Sequence, residues 1–145
     1  AEERIRGYGK FSNKIWNATR FVLDNTKDFK IPENEIYDGE DKKSNEELQN
    51  LIKEITKEMD EYKFYIAAEK IYHYFWHTFA DIIIERSKKK ILEGKNADSA
   101  KKLLYTHLQI LIKLLHPFMP FVTEEIWSMF EDKDKKMLIV ENWPC

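Results

Sequence analysis

The sequence predicts an all-α fold, an antiparallel bundle of four or five helices, and three observations carry that expectation. Apolar residues recur at three- and four-residue intervals over most of the chain, the period of a helix with one buried face. Only 4 Gly and 4 Pro punctuate 145 residues, fewer than the turns of an all-β domain would need. Strands have little room, because Met137 to Val140 is the one short β-prone stretch, a strand or an extended tail. The length suits a single domain over residues 1–145, with 25–43 an irregular connection and 137–145 a tail.

A first helix is expected from about Glu3 to Asp24, with Glu2 and Glu3 at its positive end and Gly7 and Gly9 weakening its start. Ile5, Tyr8, Ser12, Ile15, Trp16, Thr19, Val22 and Leu23 share a mostly apolar side. On the other side Arg6, Lys10, Asn13, Asn17 and Arg20 fall within an arc of roughly 80°, with Lys14 and Phe21 along its edge. A row of amides and cations beside an aromatic suits a planar, anionic partner.

Residues 25–43 lose the period, and Pro32, Gly39 and a run of acids mark an exposed connection. Ser44-Asn45-Glu46-Glu47 is a capping-box pattern that opens a second helix ending near Tyr62, with Leu48, Leu51, Ile52, Ile55 and Met59 inward. The aromatic segment from Phe64 to about Leu92 is expected to be the central helix. Phe64, Ala68, Ile71, Tyr72, Phe75, Phe79, Ile82 and Ile83 form its apolar face, widened by Tyr65, Ala67 and Trp76. Gly94 stops it. Asn96 or Asp98 can cap the next helix, whose inward residues are Ala100, Leu103, Leu104, His107, Leu108, Leu111, Ile112 and Leu115. Pro117 ends that helix, and Pro120 opens a short last one carrying Ile126 and Trp127, with Phe130 beyond.

For catalysis the chain offers little. It has no Gly-rich phosphate loop and no nucleophile motif, and its one cysteine, Cys145, can form neither an intrachain disulfide nor a cysteine metal site. His73, His77 and Asp81 recur at i, i+4, i+8, yet without a Glu in the zinc-binding pattern or an evident fourth ligand, so no metal is expected. His107 and His116 are expected to be structural, and Trp16, Trp76 and Trp127 to pack in the core. No apolar run reaches the roughly 20 residues of a membrane span, so no membrane partner is expected and a reducing cytoplasm is the expected location. Beginning on Ala and ending on Trp-Pro-Cys, the chain is expected to be part of a longer one.

A net charge of −2 argues against nucleic acid, but it is unevenly spread: +3 over residues 1–30, −7 over 31–62, +5 over 63–115 and −3 over 116–145. A basic face is compatible with a slightly acidic whole. Asn side chains can read base edges, Lys and Arg bind phosphates, and unpaired bases stack on aromatics, so the first helix carries the best binding signal.

Three strings bear a family resemblance. RGYGKFSNKIWNATRFVL, from Arg6 to Leu23, resembles the opening of the anticodon-binding helical domain of valyl-tRNA synthetases, within the class I aminoacyl-tRNA synthetases. FYIAAEKIYHYFWHTFADIIIERSK, from Phe64, and LLHPFMPFVTEEIW, from Leu114, are similar to later segments of the same domain in order and spacing. The last string is shared with the leucyl and isoleucyl enzymes, and the Asn13 to Phe21 string favours valine. An aromatic often stands where Ile83 is found, and the acidic connection from Glu33 to Lys43 departs from the usual pattern.

The resemblance implies a longer, monomeric enzyme that uses ATP with Mg²⁺ to attach valine to its tRNA, through catalytic motifs in an upstream domain that do not occur in this chain. This part would hold the anticodon stem-loop of a valine-accepting tRNA, with that tRNA and the rest of the synthetase as its partners. It would carry no catalytic site and no cofactor of its own. By position the implied contacts are Lys10, Asn13, Asn17, Arg20 and Phe21, with Arg6 and Lys14 beside them. The alternatives are the equivalent domain of a leucyl or isoleucyl enzyme, or a helical protein-interaction module.

Overall fold

In the computed structural model of the chain, residues 2–131, 138 and 141–144 are described, with side chains from residue 7 onward. The helices are α1 (Glu2–Thr26), α2 (Gly39–Asp60), α3 (Phe64–His73), α4 (Glu85–Glu93), α5 (Ala97–Leu115) and α6 (Pro120–Trp127). An 11-residue π-helical segment, Tyr74–Ile84, joins α3 to α4, and the three together make the third helical rod, residues 64–93. The described residues contain no strand, and short turns after α2 and α4 fold the rods back on one another as an all-α antiparallel bundle.

The centre of the bundle is α5 and not, as the aromatic content suggested, the third helical rod. Helix α5 packs against every other helical segment, and 11 of its 19 residues are buried. All eight inward positions expected for it are buried, His107 included. Such a helix is apolar nearly all round, which suits a position with neighbours on every side.

The inward stripe of α1 is Phe11, Ile15, Ala18, Thr19 and Val22, rotated from the expected one. Tyr8 is exposed, while Phe11 is buried with its ring 4.7 Å from that of Tyr72 and 5.8 Å from that of Phe75. The aromatic surface of the third rod draws the phenyl ring inward and turns the helix with it. Trp16 and Trp76 are half-buried against the core, and Trp127 is buried in it. The side chain of Ile5 lies outside the described ones.

Helix α2 begins five residues before the capping-box serine. Asp38 is its N-cap, and its Oδ1 accepts from the Asp41 amide at 2.9 Å. Ser44 is buried within the helix and accepts instead from Arg86 Nη2, also at 2.9 Å. Asp38 competes successfully because Glu40 and Asp41 in the first turn complement the helix dipole, and because basic side chains from α4 close over them. Buried Asp41 takes Arg86 Nη2 at 2.9 Å, Lys90 Nζ at 3.1 Å and the Ser99 hydroxyl at 2.6 Å. Burial alone would raise the Asp38 carboxyl. The hydrogen bonds from Lys90 and the Asp41 amide, with the charges of Lys90 and Arg86, hold it below the usual carboxylate range.

The third rod departs from a plain α-helix. In a π-helix, with bonds from i to i+5 and about 4.4 residues per turn, buried positions fall four or five apart. Phe75, Phe79, Ala80, Ile83 and Ile84 follow that rhythm, and Ile82, inward on an α-helical template, is 56% exposed. Phe64 and Tyr65, expected in the apolar face, are exposed beside Tyr62 and Ile66 at the α2–α3 turn. Gly94 ends the rod with φ 69°, the left-handed geometry expected of it.

Asn96 stands before α5 with φ 58° and makes no side-chain cap bond. His116 and Pro117 close that helix, and the His116 Nδ1 pairs with Thr123 Oγ1 at 2.9 Å, tying α5 to α6. Ile126, Trp127 and Phe130 are buried as expected. Of the β-prone stretch only Leu138 is described; it is buried, and its amide donates to Glu124. The strand or tail expected for the remainder, and Cys145, lie outside the described residues. Nearer the end, Trp143 Nε1 donates to Thr56 Oγ1 of α2 at 2.8 Å.

Candidate nucleic-acid interface

Once Phe11, Ile15, Ala18 and Val22 are buried, the 100° step of the helix leaves the opposite side of α1 facing solvent. Lys10, Asn13, Asn17 and Arg20 all stand exposed there. Among the described residues none of these four side chains has a hydrogen-bond or ion-pair partner, so two amides and two cations remain available to a ligand. The side chain of Arg6 lies outside the described ones.

The two edge residues are engaged within the bundle. Lys14 Nζ pairs with Asp81 Oδ1 at 2.9 Å and sits 5.1 Å from the centroid of the Trp76 ring. The hydrogen bond from Lys14, reinforced by its charge and by His77, holds the Asp81 carboxyl below the usual carboxylate range. Phe21 is half-buried against the core, with Lys88 Nζ 5.2 Å from its ring centroid. The flanking rod thus accounts for an aromatic off the apolar stripe.

An open groove of about 480 Å³ runs along the free side of α1, lined by Asn13, Trp16, Asn17 and Arg20 on one wall and by Glu125 of α6 on the other. That size lies within the range of roughly 300–1,000 Å³ typical of ligand sites. The sequence alone did not single out Glu125 as a site residue, although it lies in one of the family-like strings; the packing of α6 beside α1 brings it in.

Two other candidates resolve differently. His73 and His77 are exposed and stacked with ring centroids 5.6 Å apart, each loosely paired with the carboxylate four residues away in sequence. Among the described residues no group of three His, Cys, Asp or Glu side chains is arranged to hold a metal ion. His107 is fully buried, bonded through Nε2 to the Tyr74 hydroxyl at 3.1 Å. Burial, with a contribution from the Arg86 charge, pushes its pKa down to about 3, so it is a neutral core residue. No helix among the described residues is long and apolar enough to cross a membrane.

Residues 41–145 match the family described as the anticodon-binding domain of tRNA ligase. The valine–tRNA ligase of Thermotoga maritima is 41% identical over 94% of this chain and 16% of its own length. That of Pelagibacter ubique is 40% identical over 99% of this chain and 17% of its own, so α1 falls within the similarity too. That of Coxiella burnetii is 39% identical over 97% and 16%. The chain spans about a sixth of the length of these relatives. With an all-helical bundle, an unpaired polar row on its first helix and a family match over residues 41–145, the chain belongs to the anticodon-binding domains of tRNA ligases.

Proposed function

We propose that this chain holds the anticodon stem-loop of a valine-accepting tRNA, as part of a longer, monomeric, cytoplasmic enzyme that attaches valine to that tRNA at the expense of ATP with Mg²⁺. The observation that carries the reading is the exposed, unpaired row of Lys10, Asn13, Asn17 and Arg20, of which Asn13, Asn17 and Arg20 line one groove. An unpaired loop base offers its edge to the amides, which donate and accept together, while the flanking phosphates meet the two cations. Lys14 and Phe21 border the row and act chiefly by fixing α1 against the third rod, and Arg6 joins the proposed contacts by its sequence position. A helix anchored this way keeps the amides at fixed spacing, so base recognition needs little reordering on binding.

ATP and Mg²⁺ find no fit among the described residues. The four glycines form no cradle, since a Cβ on any of them would meet nothing within 4 Å, and among the described residues no group of three His, Cys, Asp or Glu side chains is arranged for a metal ion. In this reading the chemistry of valine attachment is assigned to the rest of the longer enzyme, since the chain spans about a sixth of the length of its relatives.

Titration of the chain with an RNA hairpin bearing the valine anticodon, against a hairpin with another anticodon, at two salt concentrations, tests the reading. The expected result is tighter binding of the valine hairpin and affinity that falls with salt. Equal indifference to both hairpins by a folded chain would overturn it.

A further inference from the structure

We propose that α6 supplies the second wall of the anticodon site, with Phe121 as a stacking platform for an unpaired loop base and Glu125 as the acceptor that reads the amino group on that base's edge. The inference rests on the function proposed above and deepens it.

Phe121 is 90% exposed, the most exposed large hydrophobic side chain among the described residues. It lies four residues before Glu125 and therefore on the same face of α6. That face is fixed by Glu125, which lines the groove opposite Asn13, Asn17 and Arg20. The direction of α6 follows from the turn just beyond its C-terminus, where Met129 lines a separate groove with Leu23 and Thr26. Helix α6 thus runs the same way as α1, and Phe121 stands one turn from Glu125 toward the Lys10 end of the polar row. The sequence offered Phe21 as the stacking aromatic, but it is half-buried against the core with Lys88 over its ring.

Glu125 narrows the chemistry of the occupant. Among the described residues its carboxylate has no cation or donor, although it borders a groove that also holds the Arg20 side chain. A carboxylate repels phosphate and only accepts hydrogen bonds, so it fits the amino group of cytosine or adenine and disfavours uracil, which presents a carbonyl there. A base lying on Phe121 with its amino edge toward Glu125 leaves its phosphates toward α1, where Arg20 lines the groove and Lys10 stands exposed on the same side of the helix, so charge is complementary.

The test uses the chain with a valine-anticodon hairpin and a set of hairpins in which each loop base in turn is replaced by uracil, read by fluorescence anisotropy. Phe121→Ala is expected to weaken binding about tenfold, with Phe121→Tyr restoring it. In the unsubstituted chain, uracil at one loop position should cost about tenfold; Glu125→Ala should abolish that penalty and Glu125→Gln, which keeps a carbonyl acceptor, should retain part of it. Both side chains are exposed, so the variants should fold, which circular dichroism checks. Unchanged binding by Phe121→Ala, or equal tightening of every hairpin by Glu125→Ala and Glu125→Gln, would overturn the proposal. If these variants bind as before while Lys10→Ala binds weakly, this inference fails and the proposed function stands. If the unsubstituted chain binds no hairpin, both fail.

Discussion

Lys14 reaches across from α1 to bond Asp81 of the π segment at 2.9 Å, and in doing so lies over the face of Trp76. Lys14, the cation at the edge of the polar row, is therefore partly neutralised within the bundle. Lys10 and Arg20 are not. Lys10→Ala and Arg20→Ala should each reduce the slope of log affinity against log salt by about 0.7–1, whereas Lys14→Ala should reduce it by less. Binding isotherms at four or more salt concentrations give these slopes, and an equal drop for all three variants would contradict the distinction.

Asn17 faces the groove without a partner of its own. Asn17→Ala should leave the salt slope unchanged and reduce the difference in affinity between cognate and non-cognate hairpins by about 1–3 kcal/mol. Paired titrations at one salt concentration measure it. A uniform loss on both hairpins would assign Asn17 to backbone positioning instead.

Much of this fold was legible because helical periodicity is a local signal. The eight inward residues of α5, the glycine stop at Gly94 and the opening of α6 at Pro120 each follow from neighbours within a few positions. The exposed row of Lys10, Asn13, Asn17 and Arg20 was legible for the same reason. What was not legible depends on distant partners. Whether Lys14 is free turns on Asp81, 67 residues away, and the rotation of α1 turns on the rings that meet Phe11. Ser44 matches a capping pattern, but Asp38 caps α2 because Lys90 and Arg86 arrive from α4. The role of α6 in the groove requires knowing that it lies along α1, which no local pattern records.

Asp41 is the buried acceptor of that cap region, bonded to Arg86, Lys90 and Ser99. Asp41→Ala should destabilise the chain by about 3–5 kcal/mol, because it leaves two cations facing one another without their shared anion. Urea denaturation measures the loss. A change below about 1 kcal/mol would show that Asp38 and Glu40 satisfy Arg86 and Lys90 without it.

His107 gives the bundle a pH dependence whose sign is fixed. Its pKa in the fold is about 3, against about 6.5 when unfolded, so between those values only the unfolded chain takes up the proton. Stability from this group is complete above about pH 6.5 and falls as pH drops toward 3. Between pH 7 and pH 5 the loss should be about 2 kcal/mol. His107→Leu removes the titrating group, so its stability should fall less steeply over that interval. Denaturation midpoints at both pH values for both proteins give the comparison, and parallel losses would refute a neutral buried imidazole.

The π segment can be tested by two adjacent isoleucines. On an α-helical template anchored at Phe75, Ile82 lies seven residues on and returns to the core face. The wider π turn carries it outward, to 56% exposure, and brings Ile83 and Ile84 inward. Ile82→Ala should therefore change stability by no more than about 0.5 kcal/mol. Ile83→Ala, which empties a site that is 1% exposed, should cost about 2–5 kcal/mol. If urea denaturation reverses that order, the third rod is an α-helix throughout and its inward face is the one the 3.6-residue period predicts.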